Sequence, residues 1–149
     1  MSRSSIDPGN AFGAASTLVA QMGILLGMIV SNQPQAALVV ASAASAVSGS
    51  FGDAFSMFVS ESMATRNTNA IIIATSVLVT KLVIGAVYVL LFFFLGNTPY
   101  LVIPVSILLT LFLLYFLSDS MKTMGQYTIL TILVVCITSG LGLLIKQLF

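Results

Sequence analysis

Asp53, Met57 and Glu61 stand at successive four-residue steps in a stretch that is otherwise almost without charge. Spacing of i, i+4 and i+8 places all three on one face of a helix. Ser56 and Ser60 lie beside them, and Gly49 and Ser45 continue the same face. Carboxylates suit hard or borderline divalent cations, and a thioether shifts the preference toward softer ones. A mixed oxygen and sulfur ladder without histidine holds a cation weakly, which suits a pathway that an ion must enter and then leave. Each residue also has a plainer role. Glu61 is close enough to the helix end to reach interfacial water, Met57 packs well as filler, and Asp53 can be neutralised by Lys81.

The elements that carry these residues follow from composition. The chain has 149 residues, of which 58% are hydrophobic and only 6% charged, against roughly 25% charged in an ordinary soluble domain. Nine formal charges cannot solvate a globule this apolar, so the chain is read as an integral membrane protein. A hydrocarbon core of roughly 30 Å needs about 20 apolar residues per helix. Five stretches qualify, at about 11–30, 36–64, 70–96, 100–118 and 127–145. Continuous apolar runs without alternation argue against a β-barrel. The separators, Ser31-Asn32-Gln33-Pro34, the Thr65 to Asn69 turn, Asn97-Thr98-Pro99 and Asp119-Ser120-Met121-Lys122, are too short for a soluble domain. The expectation is an all-α membrane protein: one transmembrane domain over 1–149, a compact bundle of five transmembrane helices with sequential neighbours antiparallel.

Charge placement suggests the orientation. Arg3, Arg66 and Lys122 fall on one side of the membrane and only Lys146 on the other, which predicts a cytosolic amino terminus and a lumenal or external carboxyl terminus. A net charge of +1 leaves no broad basic surface for nucleic acid. No histidine is present, so imidazole acid–base chemistry and imidazole metal ligands are excluded. Cys136 is alone and forms no intrachain disulfide.

Depth sharpens the reading of span two. Asp53 is about 11 residues from the end of its span, or roughly 16 Å at helical rise, too far to reach the interface. A carboxylate at that depth is a functional-site hypothesis by default. Lys81 lies at a matching depth in span three, so two adjacent antiparallel helices can bring the charges together. The competing geometry has Lys81 snorkelling to the cytosolic headgroups. The run from Ala41 to Ser50 is almost entirely small residues, which let helices approach closely in lipid, and span two is therefore expected at the centre of the bundle. Gly23 and Gly27 form a GxxxG pair in span one that fits either packing against span two or contact with a second copy.

Gly52-Asp53-Ala54-Phe55-Ser56-Met57 followed by Glu61 resembles the second-helix signature of the vacuolar iron transporter family. Asn97-Thr98-Pro99-Tyr100 with Pro104, and the polar Ser118 to Gln126 turn before the last apolar run, are similar to that family's later helices. The resemblance spans about 49–149 and describes a short member, like the nodulin-like ones, because no metal-gathering domain fits between spans two and three. It implies a five-helix homodimer in the lipid bilayer that moves Fe²⁺, and often Mn²⁺, out of the cytosol in exchange for protons. Such a protein is a transporter and not an enzyme, with the metal as cargo and no resident cofactor. Glu61 and Asp7 would gather the cation at the cytosolic mouth, and Asp53 and Met57 would hold it deeper. The family opens span one with an Asp-Gly pair. Asp7-Pro8-Gly9-Asn10 lies near that place, which makes Asp7 the first candidate and Asn10 the second. The family's dimer contact through its first helices favours Gly23 and Gly27 as dimer residues. Lys81 departs from the family pattern. Two rivals remain: a transporter of another cation or small solute, and a non-transporting structural membrane protein in which Asp53 and Lys81 form a bridge.

Overall fold

The computed structural model describes residues 8–65, 69–117 and 121–148. Asp7, Arg3, Arg66 and Asp119 lie outside them. Five helices follow one another: α1 (Pro8–Val30), α2 (Gln35–Thr65), α3 (Ala70–Leu95), α4 (Pro99–Leu117) and α5 (Met121–Leu148). No strand occurs among the described residues, and all five helices are long and apolar enough to cross a membrane. The chain is an all-α, multi-pass membrane bundle. The predicted spans match within a few residues, except that α5 begins at Met121 rather than near 127. The polar segment through Gln126 contains Gly125 but no proline, so the helix runs on past the apolar stretch.

The ends of the helices on the loop side opposite Thr65 are set by local chemistry. Asn32 takes a left-handed φ of 56°. Around it the Gln33 amide bonds the Met28 carbonyl at 2.9 Å and the Asn32 amide bonds the Ile29 carbonyl at 3.0 Å, the paired pattern that closes a helix on a left-handed residue. Pro34 then accepts the amides of Ala37 and Leu38 and opens α2. On the same side, the Thr98 carbonyl accepts the amides of Leu101 and Val102, and Pro99 occupies the first helical position, where a missing N–H costs nothing. The Gln35 side chain donates to the carbonyls of Phe92 and Phe93 at 2.9 and 2.6 Å. The start of α2 thereby satisfies the last turn of α3.

The central helix is α1, not α2. It touches each of the other four, whereas α2 packs on α3 and, less extensively, on α1, and meets neither α4 nor α5. Ala14, Leu18, Met22 and Leu25 bury one side of α1 almost completely. The small residues of α2 do bring a helix close, but to α3: a Cβ built on Gly85 would stand 2.5 Å from that of Ala46. With its small face spent on one neighbour, α2 leaves Phe51 and Phe55 exposed on the other. The core is completed by Tyr88 and Phe92, edge to face at 5.7 Å, with the Tyr88 hydroxyl 2.6 Å from Thr110 on α4.

The GxxxG pair, Gly23 and Gly27, also has a neighbour within the chain, and it is not α2. These glycines face α5 of the same chain. A Cβ on Gly23 would meet Thr138 at 3.3 Å, and one on Gly142 would meet the Gly27 carbonyl at 2.8 Å. Both glycines also line an open cleft of about 380 Å³ along α1 and α5.

Candidate functional site

Three helices bring their polar residues to one point inside the span. From α3, the Lys81 ammonium lies 2.5 Å from Asp53 Oδ2 on α2 and donates to Ser16 Oγ on α1 at 3.0 Å. The lysine side chain is 6% exposed and that of Asp53 34%. The pairing geometry is therefore the one realised, and the snorkelled geometry is not. Two antiparallel helices joined by a short turn present residues at equal depth, and each charge lowers the desolvation cost of the other.

Glycines make room for the lysine. A Cβ on Gly13 of α1 would stand 3.4 Å from Lys81 Cγ and 3.0 Å from the Val77 carbonyl. One on Gly49 of α2 would stand 3.6 Å from the ammonium nitrogen. The stem thus runs over Gly13 and the head arrives beside Gly49. Gly49 was expected on the Asp53 face, whereas Ser16 and Gly13 were not expected as members of the site. The signal available in the sequence was a pair of glycines in apolar spans with a lysine as the long partner, which spacing within one helix does not reveal.

Met57 and Glu61 lie one and two turns beyond Asp53 toward the α2 carboxyl end. All three are half-buried, between a fully buried Ala54 and the exposed Phe55, Phe58 and Val59. They form the edge of the α2 face that turns from its neighbours to open surroundings. Asn10 sits on α1 toward the same end of the bundle, where its Oδ1 accepts the hydroxyls of Ser76 and Thr80, each at 2.7 Å. That oxygen is committed to α3 and is not directed at Asp53. Asp7 lies outside the described residues. Among the described residues, no three of His, Cys, Asp and Glu converge in a way that could hold a metal, and the further donors those residues offer near Asp53 are hydroxyls, a thioether and carbonyls.

On the other side of Lys81 the seam between α1 and α2 is closed. Gln21 donates to the Ser42 carbonyl at 3.3 Å, and Ser42 Oγ donates to Gln21 Oε1 at 2.5 Å. Both residues are almost wholly buried. Thr17 and Ser50 turn their hydroxyls to carbonyls of their own helices, Gly13 and Ala46. The polar groups of α1, α2 and α3 therefore stack in three tiers: Asn10 with Ser76 and Thr80, then Lys81 with Asp53 and Ser16, then Gln21 with Ser42. The first tier is exposed and the last is sealed.

A separate cleft of about 300 Å³ lies between α1, α4 and α5 and includes Met22, Leu26, Thr110, Leu114 and Thr131 in its lining. The hydroxyls of Thr110, Thr128 and Thr131 bond carbonyls of their own helices. It offers hydrocarbon rather than cation ligands. No family model, no curated protein and no solved structure matches the chain.

Proposed function

We propose that the chain transports a divalent cation, Fe²⁺ or Mn²⁺, out of the cytosol, and that Asp53 is the carboxylate the cation meets inside the membrane. The observation that carries this reading is a carboxylate deep in the span, at the junction of three helices, a third exposed, on one edge with Met57 and Glu61. Glu61 receives the ion nearer the helix end, and Met57 bridges the two carboxylates with a polarisable sulfur. Metal and proton compete for the same carboxylate oxygens, which supports proton exchange as the coupling. The resemblance of the Asp53 to Glu61 stretch to the vacuolar iron transporter family supports the choice of metal and the direction. It also extends the proposal to a homodimer, with the open cleft at Gly23 and Gly27 as the candidate contact. Another cation on the same scaffold is the nearest variant of this reading.

The experiment is flux into proteoliposomes. Asp53→Asn and Glu61→Gln are each expected to lower Fe²⁺ and Mn²⁺ flux at least about tenfold, the effect of one lost charge contact of roughly 1.4 kcal/mol or more, with Asp119→Asn unchanged. Unaltered flux in Asp53→Asn refutes the assignment.

A second reading is favoured by two observations: Asp53 already has its counter-charge, and no three acidic or thiol ligands converge among the described residues. In that reading the pair fastens α2 to α3 in a non-transporting membrane protein, and the unmodified chain carries no metal at all.

A further inference from the structure

We infer that the Lys81 ammonium is a tethered occupant of the Asp53 cation site, and that a divalent cation binds there by displacing it. The inference rests on reading Asp53 as a cation site and adds what holds that site at rest.

The ammonium stands where a bound cation would stand. It touches a carboxylate oxygen and a hydroxyl oxygen at 2.5 and 3.0 Å, two oxygen donors from two helices. An ammonium has three N–H groups, and among the described residues only these two oxygens receive them. It is an under-coordinated guest. The space it uses is built for it by Gly13 along the stem and Gly49 at the head. The burial is also one-sided. Lys81 is 6% exposed, while Asp53 is 34% exposed. An incoming cation therefore reaches the carboxylate from the edge shared with Met57 and Glu61 without first passing the lysine.

A displaced head group has a second station. Side chains on a helix lean toward its amino end, and for α3 that is the end where Ser76 and Thr80 meet Asn10. The hydroxyl oxygen of Thr80 retains acceptor capacity, and Asn10 is exposed. Released from Asp53, the ammonium moves toward this tier and the cytosolic interface by snorkelling. Tethering also sets selectivity. A covalently held competitor acts at an effective concentration of about millimolar or above, so a monovalent ion gains nothing over it. A divalent ion, with twice the charge on the same carboxylate, does.

The test uses Mn²⁺ alone as probe, with the free ion read by electron paramagnetic resonance over purified protein in lipid nanodiscs. Lys81→Met keeps the stem over Gly13 and removes the charge. It is expected to bind Mn²⁺ at least about tenfold tighter than the unmodified protein, since a positive charge a few ångströms from the ion is gone. Lys81→Met with Asp53→Asn is expected to lose that binding. Equal affinity in the unmodified protein and Lys81→Met overturns the inference, as does tight binding that survives Asp53→Asn. If Lys81→Met does not fold, the unmodified protein decides. Mn²⁺, but not Na⁺, is expected to raise the rate at which a small amine-acylating reagent modifies Lys81, located by peptide mass, by at least about tenfold as the ammonium leaves its buried slot. A rate that Mn²⁺ leaves unchanged overturns it. Tight, Asp53-dependent binding without Mn²⁺ flux through the unmodified protein refutes transport and leaves the tethered occupant standing. Flux through the unmodified protein with an affinity that Lys81→Met does not alter does the reverse.

Discussion

Replacing Lys81 by methionine keeps the chain length that lies over Gly13 and removes the ammonium from Asp53, so the coupling between the two charges can be measured on its own. At the observed contact of 2.5 Å, an effective dielectric of about 20 gives a gross attraction of roughly 6–7 kcal/mol. Most of that offsets desolvation, and Asp53, a third exposed, retains part of its solvation. Lys81→Met is expected to destabilise the fold by about 2–4 kcal/mol, because it strands a carboxylate inside the span. Asp53→Asn is expected to do so by about 1–3 kcal/mol, since an amide oxygen still accepts from the ammonium. The double variant buries neither charge and should lose less than the sum, with a coupling of about 2 kcal/mol. Reversible unfolding in detergent or bicelles, followed by circular dichroism, gives the three differences. Single effects that add to the double within about 0.5 kcal/mol show that the two charges do not interact, and refute the ion pair and the three-helix junction built on it.

Gly85→Ala drives a methyl into Ala46, at 2.5 Å for an unrelaxed Cβ. It should destabilise by about 1–3 kcal/mol, with Ala46→Gly in the same chain restoring most of the melting temperature. Gly142→Ala meets the Gly27 carbonyl at 2.8 Å, whereas Gly140→Ala meets nothing within 4 Å. The first should lower thermal stability by about 1–3 kcal/mol and the second leave it within about 0.5 kcal/mol. Single cysteines placed near each terminus in a Cys136→Ser background should be labelled by impermeant maleimide from opposite sides of the membrane, as five spans require, and labelling from the same side contradicts that count.

The spans were legible because runs such as the one from Tyr100 to Leu117 exceed what a soluble core needs, and the turns between them carry asparagine and proline. The shared face of Asp53, Met57 and Glu61 followed from helical spacing, and the depth of Lys81 allowed its pairing to be anticipated. Facing was not legible. In lipid, the side of a helix that meets hydrocarbon is as apolar as the side that meets a neighbour, so hydropathy carries no direction. For that reason the small residues near Ala46 pointed to a central α2, although they serve mainly its contact with α3 and, through Ser42, its seam with α1. For the same reason Gly23 and Gly27 gave no hint of Thr138 and Gly142 across the bundle. The slot formed by Gly13 and Gly49 needs three helices at once. The commitment of Asn10 to Ser76 and Thr80, 66 and 70 positions away, lies beyond any local pattern. Gln21 and Ser42 are polar residues of ordinary composition whose mutual bond only their burial makes necessary.

The role of Asp53 as the cation carboxylate is tested most directly by Mn²⁺ uptake into proteoliposomes that also hold a pH-sensitive dye. In the unmodified protein, inward Mn²⁺ movement is expected to drive protons outward, and Asp53→Asn is expected to abolish both signals together while the protein remains folded. Mn²⁺ uptake and proton movement that persist unchanged in folded Asp53→Asn would contradict it.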